Sequence, residues 1–311
     1  MPIDFCALAD DPRFFLAFRE AARALLQFHD EDPRIGALFS SQQRWLMCHA
    51  ALALACSQDP QVSGSGLYAA PFIELAVAKN VVSRNTAADF IREVVHFGFA
   101  APVASRDDRR KRLLQPTEVA RQAMSNWLEL HLAMLDRLDG GSRAEHHRSE
   151  PTMVNRLQPT IAERLLEAPG MRHQGPAFDH FTWANAGGLL MDHLIASLKV
   201  EDAYAASLPE RIPAGAISLA EVSHRFRISR THAKRMLDRA VELGDVGWSA
   251  GRGESEVWVS RRLVGQYWRY QAEKCAIIDS AFHAVMGCSA DHDPADLRAS
   301  APAAAGAADP A

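Results

Sequence analysis

Ser83-Arg84-Asn85-Thr86 and Ser229-Arg230-Thr231-His232 open two segments of this chain with the same order of chemistry: a small hydroxyl, a guanidinium, then further polar groups. A guanidinium carries parallel N–H donors that match O6 and N7 of guanine, and a carboxamide such as Asn85 matches the edge of adenine. Hydroxyls and the amides of a helix N-terminus bind phosphate oxygens. More basic residues follow, Arg92 in the first segment and Lys234, Arg235 and Arg239 in the second. A third group, Arg106, Arg109, Arg110, Lys111 and Arg112, is offset only by Asp107 and Asp108, and Arg252 stands between Gly251 and Gly253. Alone, such a run is more often a solvated turn. On a narrow hairpin its arginines suit a minor groove and the phosphates beside it. Together these residues point to double-stranded DNA as the partner.

The elements that must position them are mostly helical. Apolar residues recur at three- and four-residue intervals from Arg13 to Leu26, and again from Ser41 to Ala55 around Trp45, as amphipathic helices require. Tyr68 to Lys79 reads as a helix, Asn80 to Val82 as a turn, and Ser83 as the cap of a helix that stops at Gly98. Phe99 to Ala104 and Leu113 to Gln115 read as strands around a charged turn, and Thr117 opens a long helix through Trp127 to Leu135. Gly140 to Pro151 is polar and glycine-bearing, which predicts a linker. His180 to Leu194 reads as one apolar-rich helix.

The second half follows the same plan. Ser218 to Arg225 is a predicted helix, Phe226 to Ile228 a turn, and Ser229 to Leu243 a helix stopped by Gly244. Strands at 246–249 and 257–260 bracket the tip at Arg252, and a last helix runs through Tyr267 to Phe282. Setting Ser229 over Ser83, an offset of 146 residues, matches Arg84 with Arg230, Ala87 with Ala233, Val95 with Val241 and Gly98 with Gly244. We read a diverged internal duplication. The expected fold class is mainly α with small β-hairpin wings: tandem winged helix-turn-helix units joined by a helical bundle. The first unit spans residues 1–145 and the second 146–290. The Ala/Pro/Gly-rich residues 291–311 are expected to be a disordered tail.

At its first hairpin the chain resembles the MarR (multiple antibiotic resistance regulator) family of winged-helix repressors. The resemblance rests on Gly98-Phe99-Ala100, Asp108-Arg109-Arg110 and Leu113-Leu114-Gln115-Pro116-Thr117 within roughly residues 67 to 135. It implies that Asp108 braces the wing and Arg110 enters the minor groove. It also implies dimerisation through terminal helices, here met by two units in one chain, and a small-molecule effector pocket. The second half keeps a shorter wing with Arg252 and no Asp-x-Arg. The chain is expected to be a sequence-specific transcriptional regulator, as a monomeric pseudo-dimer or a homodimer. The rival expectation is a winged-helix adaptor or antagonist that has turned to protein partners.

Other chemistry has little support. A net charge of −4 rules out a simple nucleic-acid-coating protein, so any DNA contact must come from local clusters. The five cysteines include no C-x-x-C pair, and the composition, 48% hydrophobic and 23% charged, is that of a globular protein. Asp4, Asp10 and Asp11 stand where a signal peptide would be basic, and no run approaches the roughly 20 apolar residues of a membrane span. A cytoplasmic protein without cofactor or membrane partner is expected. His173, Asp179, His180, Asp192 and His193 match no metal spacing, Cys48 and Cys56 lack basic neighbours that would activate them, and no catalytic motif stands out. Trp45, Trp127, Trp183 and Trp268 are expected to be core and bundle packing.

Overall fold

The structure, a computed structural model, describes residues 1–103, 112–200, 208–249 and 256–290. The chain is mainly helical, with two small antiparallel sheets. Helices α1 (Phe5–Asp10), α2 (Pro12–Glu31), α3 (Pro33–Leu38) and α4 (Gln42–Cys56) lead into α5 (Ala69–Ala78) and α6 (Arg84–His96). Strands β1 (Ala100–Pro102) and β2 (Leu114–Pro116) follow, then α7 (Glu118–Asp139), α8 (Arg143–Ser149) and α9 (Met153–Glu167). After α10 (Pro176–Thr182) and α11 (Gly187–Ala196) come β3 (Arg211–Pro213), α12 (Leu219–Arg225) and α13 (Arg230–Glu242). Strands β4 (Val246–Trp248) and β5 (Val257–Ser260) and the long α14 (Arg261–Ala290) complete the described chain.

Two local segments are built alike. The Ser83 hydroxyl accepts from the Thr86 amide, and the Ser229 hydroxyl from the His232 amide, each satisfying a donor that the first helical turn leaves open. The preceding turns pass through the left-handed region at Asn80 (φ 52°) and Arg227 (φ 53°). There the amides of Val81 and Ile228 bond back to the carbonyls of Ala76 and Ser223. Both helices end at a glycine with positive φ, Gly98 (73°) and Gly244 (74°), and the following amide returns to Val94 or Ala240. A Cβ at either glycine would meet open space, so a substitution tests backbone strain alone. Gly98→Ala and Gly244→Ala should each destabilise the fold by about 1–2 kcal/mol in urea unfolding. Unchanged midpoints would show that these helix ends tolerate the left-handed residue at no cost.

The sheets extend the likeness. β4 and β5 pair antiparallel, with β3 on the far side of β5 in the order β3-β5-β4. In the first half β1 pairs with β2, and Leu67 forms an antiparallel bridge to Leu114, so an incoming residue flanks the returning strand in the same place. The sequence reading lacked β3. Three residues ending at Pro213 are too few to display a two-residue period.

The bundle is laid out across both halves. α2 packs on α7 and α11, while α9 packs on α14 and α4. Exchanging α2 with α9, α7 with α14 and α4 with α11 converts one set of neighbours into the other. Each half therefore lends its leading helix to the other. Phe15 and Phe18 of α2 pack on Trp268 of α14 with ring centres 5.7 and 5.6 Å apart, and the buried apolar residues form one cluster spanning both halves.

Two expectations need correction. Residues 140–151 are not a linker: they contain α8, whose Arg143 is buried, and the expected boundary between 145 and 146 falls inside that helix. The single helix predicted from His180 to Leu194 is broken into α10 and α11, with Ala186 at φ 56° between them. At Gly187 the start of α11 abuts the Phe181 carbonyl so closely that a Cβ would collide with it. The expected tail at 291–311 lies outside the described residues.

Candidate nucleic-acid interface

α6 and α13 each turn one apolar face inward. Ala87, Phe90, Ile91 and Val94 are buried on α6, and Ala233, Met236, Leu237 and Ala240 at matching positions on α13. The spacing of these residues leaves the polar side chains on the opposite face. Ser83, Arg84, Asn85, Thr86 and Arg92 are exposed on the first helix and its cap, and Ser229, Arg230, Thr231, Lys234, Arg235 and Arg239 on the second.

Both helices are anchored to the bundle by polar contacts on the flank. Arg44 of α4 makes a two-pronged ion pair with Glu93 of α6, at 2.7 and 3.0 Å. The His180 ring of α10 donates from Nε2 to the Met236 carbonyl inside α13, at 2.8 Å. Movement of the bundle would thus carry each helix with it.

The exposed cations differ in how they are engaged. Arg84 and Arg230 make no hydrogen bond or ion pair with the described residues. Arg92 pairs with Asp89, Lys234 with Asp238 at 2.7 Å and Arg239 with Glu242 at 2.9 Å. Exposed pairs one turn apart on a helix contribute only about 0.3–0.5 kcal/mol, so breaking such a pair costs little. His232 is half-buried, and its Nε2 donates to the Asn185 carbonyl at 2.8 Å, in the turn between α10 and α11. Its Nδ1 is then left to accept from Arg235 at 3.1 Å. This ring orients Arg235 rather than facing outward.

Searches for a matching family model, curated protein or solved structure find none.

At the hairpins, Arg112 is exposed beside β2. Arg106, Asp108, Arg109, Arg110 and Lys111 lie outside the described residues, as does Arg252. Sequence reading missed Arg227, an exposed cation two residues ahead of Ser229. Its left-handed backbone, uncommon for a residue other than glycine, is a tertiary feature with no composition signal. In the second unit Arg262 and Ser260 bond the buried Asp245 carboxylate at 2.9 and 2.7 Å, tying the foot of the hairpin to the end of α13.

The other candidate residues go to separate partners. His173 pairs with Asp179, Asp192 accepts the Tyr267 hydroxyl at 2.8 Å, and His193 takes Arg225 at 3.3 Å. Burial pushes the Cys48 thiol up to about 12 and the Cys56 thiol up to about 11, so little thiolate forms near neutrality to react with oxidants. Among the described residues no helix is long and apolar enough to cross a membrane.

Proposed function

We propose that this chain is a sequence-specific DNA-binding transcriptional regulator, a single-chain pseudo-dimer of two diverged winged helices. The observation that carries the reading is the repeated segment itself. Twice, a serine-capped helix presents an exposed arginine at its start, ends at a left-handed glycine and runs into an antiparallel hairpin. In this reading α6 and α13 enter successive major grooves, and Arg84 and Arg230 meet base edges. Arg112 and the other hairpin arginines flank the minor groove, with Asp108 bracing the first wing as in the MarR resemblance. The reciprocal packing of α2 on α11 and α9 on α4 supports a pseudo-dimer over two independent beads.

The rival reading, an adaptor that binds protein, is favoured by the acids paired with Arg92, Lys234 and Arg239 on their own helices. Salt separates the two. Binding of the full chain to DNA from upstream of its own gene, or to sequences selected from genomic DNA, should weaken by orders of magnitude between about 50 and 200 mM salt as counterions are reabsorbed. No detectable DNA binding at the lower salt sinks the regulator reading.

A further inference from the structure

The turn between α5 and α6 and the turn between α12 and α13 are each held by residues of the opposite half. α2 belongs to the first half, and its end lies against α12 of the second. There the Asp30 carboxylate accepts from Arg225 Nε at 2.9 Å and from Nη2 at 2.7 Å. The neighbouring His29 ring donates from Nε2 to the carbonyl of the same Arg225, at 2.9 Å. That ring is 4% exposed and is wedged against Gly36, where a Cβ would collide with it.

The first half receives the same treatment from the second. Glu167, the last residue of α9, pairs with Lys79 just past the end of α5, at 2.6 Å. Arg172 donates to the Leu166 carbonyl of α9 at 2.9 Å, and also to the carbonyls of Lys79 and, at 3.0 Å, Asn80. Lys79 and Arg225 match under the offset of 146 residues, each four positions ahead of a capping serine. Each is gripped twice, by its side chain and by its carbonyl.

The last carbonyls of a helix have no partner within it, and for α5 and α12 the donors come from across the joint. Apolar packing is non-directional, so the buried faces of α2 and α9 select their neighbours without fixing how those neighbours are turned. A charge pair and a carbonyl bond on one residue fix both position and direction. The contacts of Arg44 with Glu93 and of His180 with Met236 stay within one half; these cross between halves.

We infer that each half positions the outward helix of the other: His29 and Asp30 are positioning residues for α13, and Glu167 and Arg172 for α6. For its meaning at DNA the inference rests on the regulator reading. A contact broken at the end of α2 is then felt at the half-site read by α13, and one broken after α9 at the half-site read by α6.

A double-mutant cycle on the full chain, with DNA selected from genomic sequences, tests this. Asp30→Ala should weaken specific binding about three- to tenfold. In that background Arg230→Ala should cost several-fold less than in the unsubstituted chain, because Arg230 no longer meets its base squarely. Arg84→Ala should cost the same in both backgrounds, and Arg172→Ala should show the reverse pattern. A general loss of structure would touch both arginines alike, so coupling of Asp30 to both, or to neither, overturns the inference. Hydrogen exchange of the free chain gives a reading without DNA: protection should fall in α12 and α13 for Asp30→Ala, and in α5 and α6 for Arg172→Ala. Protection lost evenly, or on the same half as the substitution, overturns the inference even if no DNA binds, which separates its failure from that of the regulator reading. Should Arg172→Ala not fold, Asp30→Ala, at an exposed side chain, still decides.

Discussion

Replacing Arg143 by alanine should cost about 3–5 kcal/mol of stability, the usual penalty for leaving a buried charge without its partner. One guanidinium here holds three carboxylates. Its Nε donates to Asp279 at 2.5 Å, Nη1 to Asp136 at 3.1 Å and Nη2 to Asp139 at 2.6 Å. Asp279 is fully buried, and its second oxygen accepts the Ile3 amide at 2.6 Å. The cluster therefore joins the N-terminal segment, α7, α8 and α14. Lysine at 143 retains the charge but lacks the planar fork that reaches several carboxylates, so Arg143→Lys should recover only part of the loss.

Acid tests the same cluster from the other side. The hydrogen bond from Arg143 is the largest influence on Asp139 and holds its carboxyl below the unfolded value of 3.8. A lowered carboxyl contributes stability that is complete above the unfolded value and lost as the pH falls through the folded one. The acid arm of the stability profile should accordingly flatten in Arg143→Ala. Urea unfolding across the acid range measures both effects. A loss below about 1 kcal/mol would mean that water replaces the guanidinium without strain, and that the cluster does not set how the two halves are joined.

On the proposed regulator reading, Arg84→Ala and Arg230→Ala should each weaken specific DNA binding by about 1–3 kcal/mol, the value of a bidentate contact to guanine. Both side chains are exposed and make no hydrogen bond or ion pair with the described residues, so folding stability should stay within about 0.5 kcal/mol. The two sites sit on separate helices, and their losses should add in the double variant. The second helix carries Lys234, Arg235 and Arg239 after Arg230, whereas the first carries Asp89 and Glu93 among its exposed or half-buried positions. The penalty should therefore fall unequally across the bound site, and footprinting should show unequal half-sites. A double variant that binds with unchanged affinity removes both arginines from the interface, and a strictly symmetric footprint removes the asymmetry.

How much of this was legible depended on distance along the chain. The serine caps, the three- and four-residue apolar spacing and the glycine stops of α6 and α13 are each decided within about four residues. They were readable, as was the offset between the two copies. β3 was not, because its partner β5 lies more than forty residues away and its own three residues carry no period. Arg143 looked like part of a polar linker because nothing near it announces burial. Its deepest partner, Asp279, is 136 positions away. Trp45, Trp127 and Trp268 pack in the core as expected; that Trp45 and Trp127 also line a cavity was not legible, because an aromatic residue in a core and one on a cavity wall look identical in sequence.

By itself, then, the sequence determined the repeated helix, turn, helix and hairpin and the outward cations at the two helix starts, since local hydrogen bonds and amphipathic period specify these. Tertiary structure alone decided that α2 and α9 cross to the opposite halves, that Arg143 gathers three carboxylates and that Lys274 faces a cavity between the halves. The reason is physical: an amphipathic helix encodes that a face must be buried. Which face covers it is settled only when every buried face is matched at once in one close-packed core.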